Sequence, residues 1–245
     1  MGQDLHVGGL GDGDVRFEGF GAGAVAWFEG IEADNSRARF AATKSTWEAD
    51  VVGPLDALLE ELAAGTDGGV KRFRQHRDVR FSKDKAPYKT TTYGIATVPG
   101  SECARYVQLS SAGLYAGTGM YDPAPDQLAR YRVAAADAGA GADLERALAG
   151  AVGAGLEVGE PELKTAPRGI PRDHPRIGLL RRKTVIVGAR LPPGPDLASR
   201  SALEHCLRTY ECAAPVASWL DEHVGASTMT PEERFGQGRA GSARR

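Results

Sequence analysis

The chain has 245 residues, 30 Lys+Arg against 32 Asp+Glu, a net charge of -2 and 42% hydrophobic residues. That length fits one core more simply than two, and a charge this near zero excludes an overall cationic field that would draw in nucleic acid or a membrane surface. No apolar run approaches the roughly 18 residues of a membrane span, the opening MGQDLHVGGLGDGD lacks the regions of a secretory signal, and Cys103, Cys206 and Cys212 make no disulfide framework, so a cytoplasmic chain is expected.

In chain order, residues 1–14 are rich in Gly and Asp and read as disordered. Residues 22–33 place Val25, Trp27, Phe28 and Ile31 on one apolar helical face. Asp34-Asn35-Ser36 is a turn with good N-cap residues. A second helix follows with Phe40, Trp47 and Val51. Gly53-Pro54 interrupts it, and Pro54 suits the first position of a helix carrying Leu55, Leu58, Leu59 and Leu62. Residues 70–81, 88–98 and 104–121 are rich in Val, Thr, Tyr and Phe, with turns at Pro99-Gly100-Ser101 and Ser111-Ala112-Gly113, and read as antiparallel strands. Helices are predicted over 123–136 and 142–152, a strand over 185–191, and a long helix over 196–224 kinked at Pro215. The pattern predicts a single α+β domain over 15–224. Hairpin-connected strands form an antiparallel sheet, with helices before, between and after them, and residues 225–245 follow as a flexible tail.

The average charge hides a segregation. Residues 70–89 hold eight Lys/Arg and two Asp, and residues 164–190 hold eight Lys/Arg and one Asp, so the rest of the chain sums to -15. Six of the seven lysines fall in these two segments, in a chain with 23 arginines. Lysine is a compact point charge and arginine a planar fork, so this placement suggests that the ammonium itself is wanted there.

The first segment runs Arg74-Gln75-His76-Arg77-Asp78-Val79-Arg80-Phe81-Ser82-Lys83-Asp84-Lys85-Ala86-Pro87-Tyr88-Lys89. Read as a strand, it puts Arg72, Arg74, His76, Asp78 and Arg80 on one face and Phe73, Arg77, Val79 and Phe81 on the other. Arg77 then needs an acid, either Asp78 from a bulged strand or one elsewhere. Cations crowded on a strand and its loop repel each other unless an anion or acids neutralise them.

The RxxRDxRF and DKxPYK patterns of this segment resemble the signature of a bacterial family, domain of unknown function 2461. The resemblance covers most of the chain, from Phe17-Glu18-Gly19-Phe20 through Asn35-Ser36-Arg37 and Gly53-Pro54-Leu55. It ends near Pro167-Arg168-Gly169, Asp173-His174-Pro175-Arg176 and Leu179-Leu180-Arg181-Arg182-Lys183. Arg39 and Trp47 stand where the family tends to have Trp and Tyr, which touches packing more than the basic motif. The resemblance sharpens the site and names no activity.

The second segment looks like a partner for the first. Its loop, anchored by Pro167, Pro171 and Pro175, would present Lys164, Arg168, Asp173, His174, Arg176 and Lys183. His174 is the best candidate for acid/base work because histidine titrates near neutrality; the alternative is a loop histidine bonded to backbone. Asp78 is either a second proton carrier or an ion-pair partner for a neighbouring arginine, and Tyr88 either lines the site or belongs to the hairpin core. Gly117-Thr118-Gly119 lacks the remainder of a dinucleotide fingerprint, and there is no P-loop, HExxH or CxxC, so neither a cofactor nor a metal is expected. Glu162-Leu163-Lys164 occurs no more often than chance and is no evidence for a nuclease.

Three functions remain. The first is a cationic pocket for a small phosphorylated or carboxylated ligand. In it Arg74, Arg77, Arg80, Lys83, Lys85, Tyr88, Lys89, Arg168 and Lys183 would bind, and His174 or Asp78 would move a proton if the protein is an enzyme. The second is a structural network of salt bridges, with function on another surface. The third is a nucleic-acid module with Tyr88, Tyr93 or Tyr106 available for stacking, against which the acidic remainder argues.

Overall fold

The computed structural model describes residues 16–64, 66–80 and 82–236. The expected disordered stretch 1–14 and the last part of the expected tail, 237–245, lie outside the described residues.

The chain opens with α1 (Ala24–Ala33), which buries Trp27, Phe28 and Ile31. Ser36 caps α2 (Arg37–Trp47), its hydroxyl accepting from Arg39 N at 3.1 Å. Gly53-Pro54 does not break the path that follows. The helix widens into one π turn (Glu48–Val52) and continues as α3 (Gly53–Ala63). Pro54 has no N–H to give Asp50 O, four residues back; Gly21 N takes that carbonyl instead, at 3.0 Å.

Among the described residues six antiparallel strands follow: β1 (Val70–Arg72), β2 (Thr91–Ala96), β3 (Arg105–Ser110), β4 (Gly113–Met120), β5 (Glu157–Val158) and β6 (Val185–Leu191). They form one sheet in the order β1-β2-β3-β4-β6-β5. The span 104–121 is therefore a hairpin turning at Ser111-Ala112. Gly113 ends that turn at φ +94°, where a Cβ would strike Leu191 O. Between β4 and β5 lie α4 (Pro125–Ala136) and α5 (Ala138–Gly153), and between β5 and β6 the short α6 (Ile177–Leu180).

Helix α7 (Ser201–His223) runs through Pro215 and joins two apolar clusters. Its Leu203, Cys206 and Tyr210 pack with Phe28, Leu55, Val107 and Leu114, while its Val216, Trp219 and Leu220 pack with Tyr131, Leu144, Val185 and Val187. Burying each of these large side chains stabilises by about 1.5–3 kcal/mol. The helices that touch the strands, chiefly α3 on β1 and β2 and α7 on β4 and β6, pack on one side of the sheet. No helix among the described residues is long and apolar enough to cross a membrane.

Residues 225–236, expected as a loose tail, lie against α4. Asp126 accepts from Ser227 Oγ and Thr228 N, both at 2.8 Å, and α8 (Pro231–Gly236) follows.

Candidate functional site

Residues 70–89 do not make the long strand that their alternation suggests. The ladder with β2 covers Val70↔Ala96, Lys71↔Ile95 and Arg72↔Gly94, and extends to a bond from Phe73 N to Tyr93 O at 3.0 Å. It breaks at Gln75, which turns into the core and is 2% exposed. A buried amide needs partners. Gln75 donates to Lys89 O and accepts from Thr92 Oγ1 at 2.7 Å, and Thr92 in turn accepts from Trp47 Nε1 at 3.2 Å. Pairing resumes at the single bridge His76↔Tyr88. The result is a two-stranded arm closed by residues 78–86.

The break changes which side chains share a face. Arg72 points to the helical side and pairs with Asp56 of α3 at 2.7 Å, whereas Arg74 is exposed. Arg77, which needed an acid, finds Asp84 in the loop and not Asp78. Asp78 instead holds Arg80, accepting from its Nη2 at 2.6 Å, from its Nε at 2.9 Å and from its backbone N at 3.2 Å.

Tyr88 belongs to the core. It is 6% exposed and stacks on Phe40 with centroids 4.1 Å apart and planes 9° apart. Its backbone is held by the side chain of Asn35. It anchors the arm to the turn between α1 and α2 and offers no ring to a ligand.

The arm and its first strand carry eight cations. Three pair with carboxylates: Arg72 with Asp56, Arg77 with Asp84, and Arg80 with Asp78. Among the described residues, Lys71, Arg74, Lys83, Lys85 and Lys89 make no ion pair with a carboxylate. Lys85 Nζ donates to Val79 O at 3.0 Å, and Lys89 Nζ donates to Arg74 O at 2.7 Å and to Tyr93 Oη at 3.1 Å. All five are exposed except Lys89, which is half-buried.

The carboxylates of the loop are unsuited to moving protons near neutrality. The Arg80 side chain beside Asp78 holds its carboxyl down at about 2. The Ala86 amide, and then Arg77, hold Asp84 below the usual carboxylate range. Both stay ionised and serve their arginines.

The second segment lies elsewhere. It runs through a loop into β6, the loop packing through Ile170, Ile177, Leu179 and Leu180 into the cluster around Tyr131 and Leu144, with β3 and β4 between β6 and the arm in the sheet. No hydrogen bond or ion pair joins the two segments among the described residues. His174 Nδ1 accepts from Arg176 N at 3.1 Å, a backbone contact just before α6. Arg176 pairs with Glu145 at 3.1 Å and donates to Asp137 O and Ala138 O. Arg168 and Lys183 are exposed.

The arm presents its cations on a surface. Concavities of about 710 and 320 Å³ are lined by α5 with α7 and by the loop around Pro175 and Arg176, and neither includes a residue of 70–89. Among the described residues no three or more His, Cys, Asp or Glu are grouped to hold a metal ion.

Residue-type reasoning missed Asn35 and Gln75, whose roles depend on distant backbone. It offered Tyr93 and Tyr106 for stacking but missed the row they form with Phe73 and Tyr115 beside the arm. Phe73 and Tyr93 stack at 4.8 Å, Tyr93 lies 5.8 Å from Tyr106, and Tyr106 lies 6.3 Å from Tyr115. Alternation within TTYGIA, RYVQLS and GLYAGTGM was the available signal, because residues two apart share a face.

Comparison with curated proteins gives no match, and comparison with solved structures gives none. A family model described as a conserved hypothetical protein, DUF2461, matches residues 23–219, from the start of α1 to near the end of α7, with the whole arm inside. By that match, over most of its length, the chain belongs to the DUF2461 family.

Proposed function

We propose that the protein binds a ligand bearing phosphate or carboxylate groups on the cationic surface of the arm. The observation that carries this reading is the imbalance of residues 70–89. Both carboxylates of the segment are used on Arg77 and Arg80, and among the described residues five further cations make no ion pair with a carboxylate. Holding like charges together raises the free energy of the unliganded arm, and an anion relieves it. Arg74, Lys83 and Lys85 provide the contacts. Arg77 and Arg80 shape the loop, and Lys89 links it to the sheet through Arg74 O. The reading is of a binding site. Asp78 is committed to Arg80, and His174 belongs to the other segment.

Thermal denaturation with inorganic phosphate, pyrophosphate and small polycarboxylates tests it. At least one of these anions raises the Tm of the native chain and leaves that of Arg74→Ala/Lys83→Ala/Lys85→Ala unmoved. Equal shifts in both proteins, or none in either, contradict the reading.

A further inference from the structure

We infer that the ligand is single-stranded nucleic acid, its bases lying on the open face of the sheet and its phosphates on the arm. The inference deepens the proposed anion-binding reading and rests on it.

The helices contacting the sheet lie on one side, over Thr92, Ala96, Val107, Leu109, Leu114, Ala116 and Val187. Residues of the other parity face away. There Tyr93 pairs in register with Gln108, Gln108 with Tyr115, and Tyr115 with Arg190, while Tyr106 pairs with Ile95 and Gly117. All three tyrosines are half-buried, and among the described residues no helix packs over them. With Phe73 they make a row across four adjacent strands in steps of 4.8, 5.8 and 6.3 Å.

The glycines show how this face is built. Gly117 and Gly188 are directly paired, and Tyr115 lies over them. A Cβ on Gly117 would stand 2.9 Å from Tyr115 Cε1, and one on Gly188 would collide with the phenol end of the same ring. The ring therefore lies along the sheet and not upright on it. Two missing side chains make room for this one ring to lie on the sheet, with Tyr106 turned 61° from it and Phe73 stacked on Tyr93 at the other end of the row.

Cations accompany the rings. Lys71 Nζ lies 4.9 Å from the Phe73 centroid, Lys89 Nζ 4.4 Å from that of Tyr93, and the Arg190 guanidinium 5.7 Å from that of Tyr115. Against them, among the described residues Glu157 at the far edge is the one carboxylate at a strand position on this face. Exposed cation–ring contacts are weak, so a ligand carrying both bases and phosphates can take over each half of the contact. Aromatic rings with cations alongside are how proteins hold unpaired bases. Several rings in succession suit a strand better than one nucleotide, and a duplex keeps its base faces hidden. The acidic remainder of the chain opposes a broad cationic footprint; this face is a narrow one.

The test is fluorescence anisotropy with a labelled oligothymidylate of about a dozen nucleotides, within the span one such site covers, against an abasic strand of the same length. The native chain binds the oligothymidylate at least about tenfold more tightly than the abasic strand. Tyr93→Ala/Tyr115→Ala removes that preference and leaves abasic binding unchanged, and Arg74→Ala/Lys83→Ala/Lys85→Ala weakens both. Should the tyrosine variant not fold, the two strands on the native chain decide alone. Equal affinity for both strands, or no oligothymidylate binding while pyrophosphate still raises the Tm, overturns this inference and leaves the anion-binding reading standing. If neither pyrophosphate nor either strand binds, both fall.

Discussion

Asn35 clasps the backbone of Tyr88: its Oδ1 accepts from Tyr88 N at 3.0 Å, and its Nδ2 donates to Tyr88 O at 3.1 Å. One side-chain amide thus stands in for the neighbouring strand that the outer side of the arm lacks. Asn35→Ala leaves both backbone groups without that partner and is expected to cost about 1–3 kcal/mol, measured by urea denaturation. Anion binding at the arm weakens with it, because the loop loses its anchor.

Gln75 is the second point holding the arm. It joins Lys89 O to the Thr92–Trp47 chain inside the core. Gln75→Ala leaves these groups short of partners in a site too tight to hydrate freely, with an expected loss of about 1–3 kcal/mol. Trp47→Phe removes the indole donor to Thr92 together with ring area packed against Trp27 and Phe40, so a loss of similar size is expected by the same denaturation.

The Arg77–Asp84 pair separates a structural role from a binding role. Arg77 keeps 30% of its side-chain exposure and Asp84 63%, so water screens the attraction. A double-mutant cycle with Arg77→Ala and Asp84→Ala is expected to give a coupling below about 1 kcal/mol. A network that existed chiefly to stabilise the fold would give more.

Glu61 makes stability depend on pH. Its carboxylate accepts from Arg200 Nη1 at 3.0 Å and Nη2 at 2.9 Å, and from Phe17 N, and Arg200 foremost holds it below its ordinary value of 4.5. The folded chain therefore takes up this proton less readily than the unfolded chain. The resulting stabilisation is complete above about pH 4.5 and fades as pH falls through the lower folded value. Glu61→Gln lowers the Tm at neutral pH, and the gap to the native chain narrows in acid.

Gly188→Ala puts a methyl group against Ala116 O and the Tyr115 ring. It is expected to destabilise by about 1–3 kcal/mol and to change the tyrosine signal in near-ultraviolet circular dichroism. Gly178→Ala, with open space beside the backbone, serves as the neutral control.

The strands and the helical layer were legible because alternation and apolar spacing survive without knowledge of the partner. The strand at 185–191 agrees with β6 to the residue. The arm was legible as a cationic segment but not as a shape. One buried glutamine breaks its ladder, and the partners that make burial tolerable are Lys89 O and Thr92, more than a dozen residues away, with Trp47 of α2 bonded to Thr92 in turn. The same limit governs the arginines, since composition cannot tell Asp78 from Asp84 as the partner of Arg77. Nor could composition tell whether the two basic segments meet, and the strand order puts β3 and β4 between the arm and β6. Pro54 misled in the other direction, because Gly21 supplies the donor that proline lacks.

The most direct test of the central claim is a titration of the isotope-labelled chain with inorganic pyrophosphate, followed by nitrogen–proton correlation spectra. The account predicts saturable shifts concentrated in residues 74–89, centred on Arg74, Lys83 and Lys85, and absent from the loop carrying Arg168 and His174. Shifts centred on that second loop, or no saturable change at all, would contradict it.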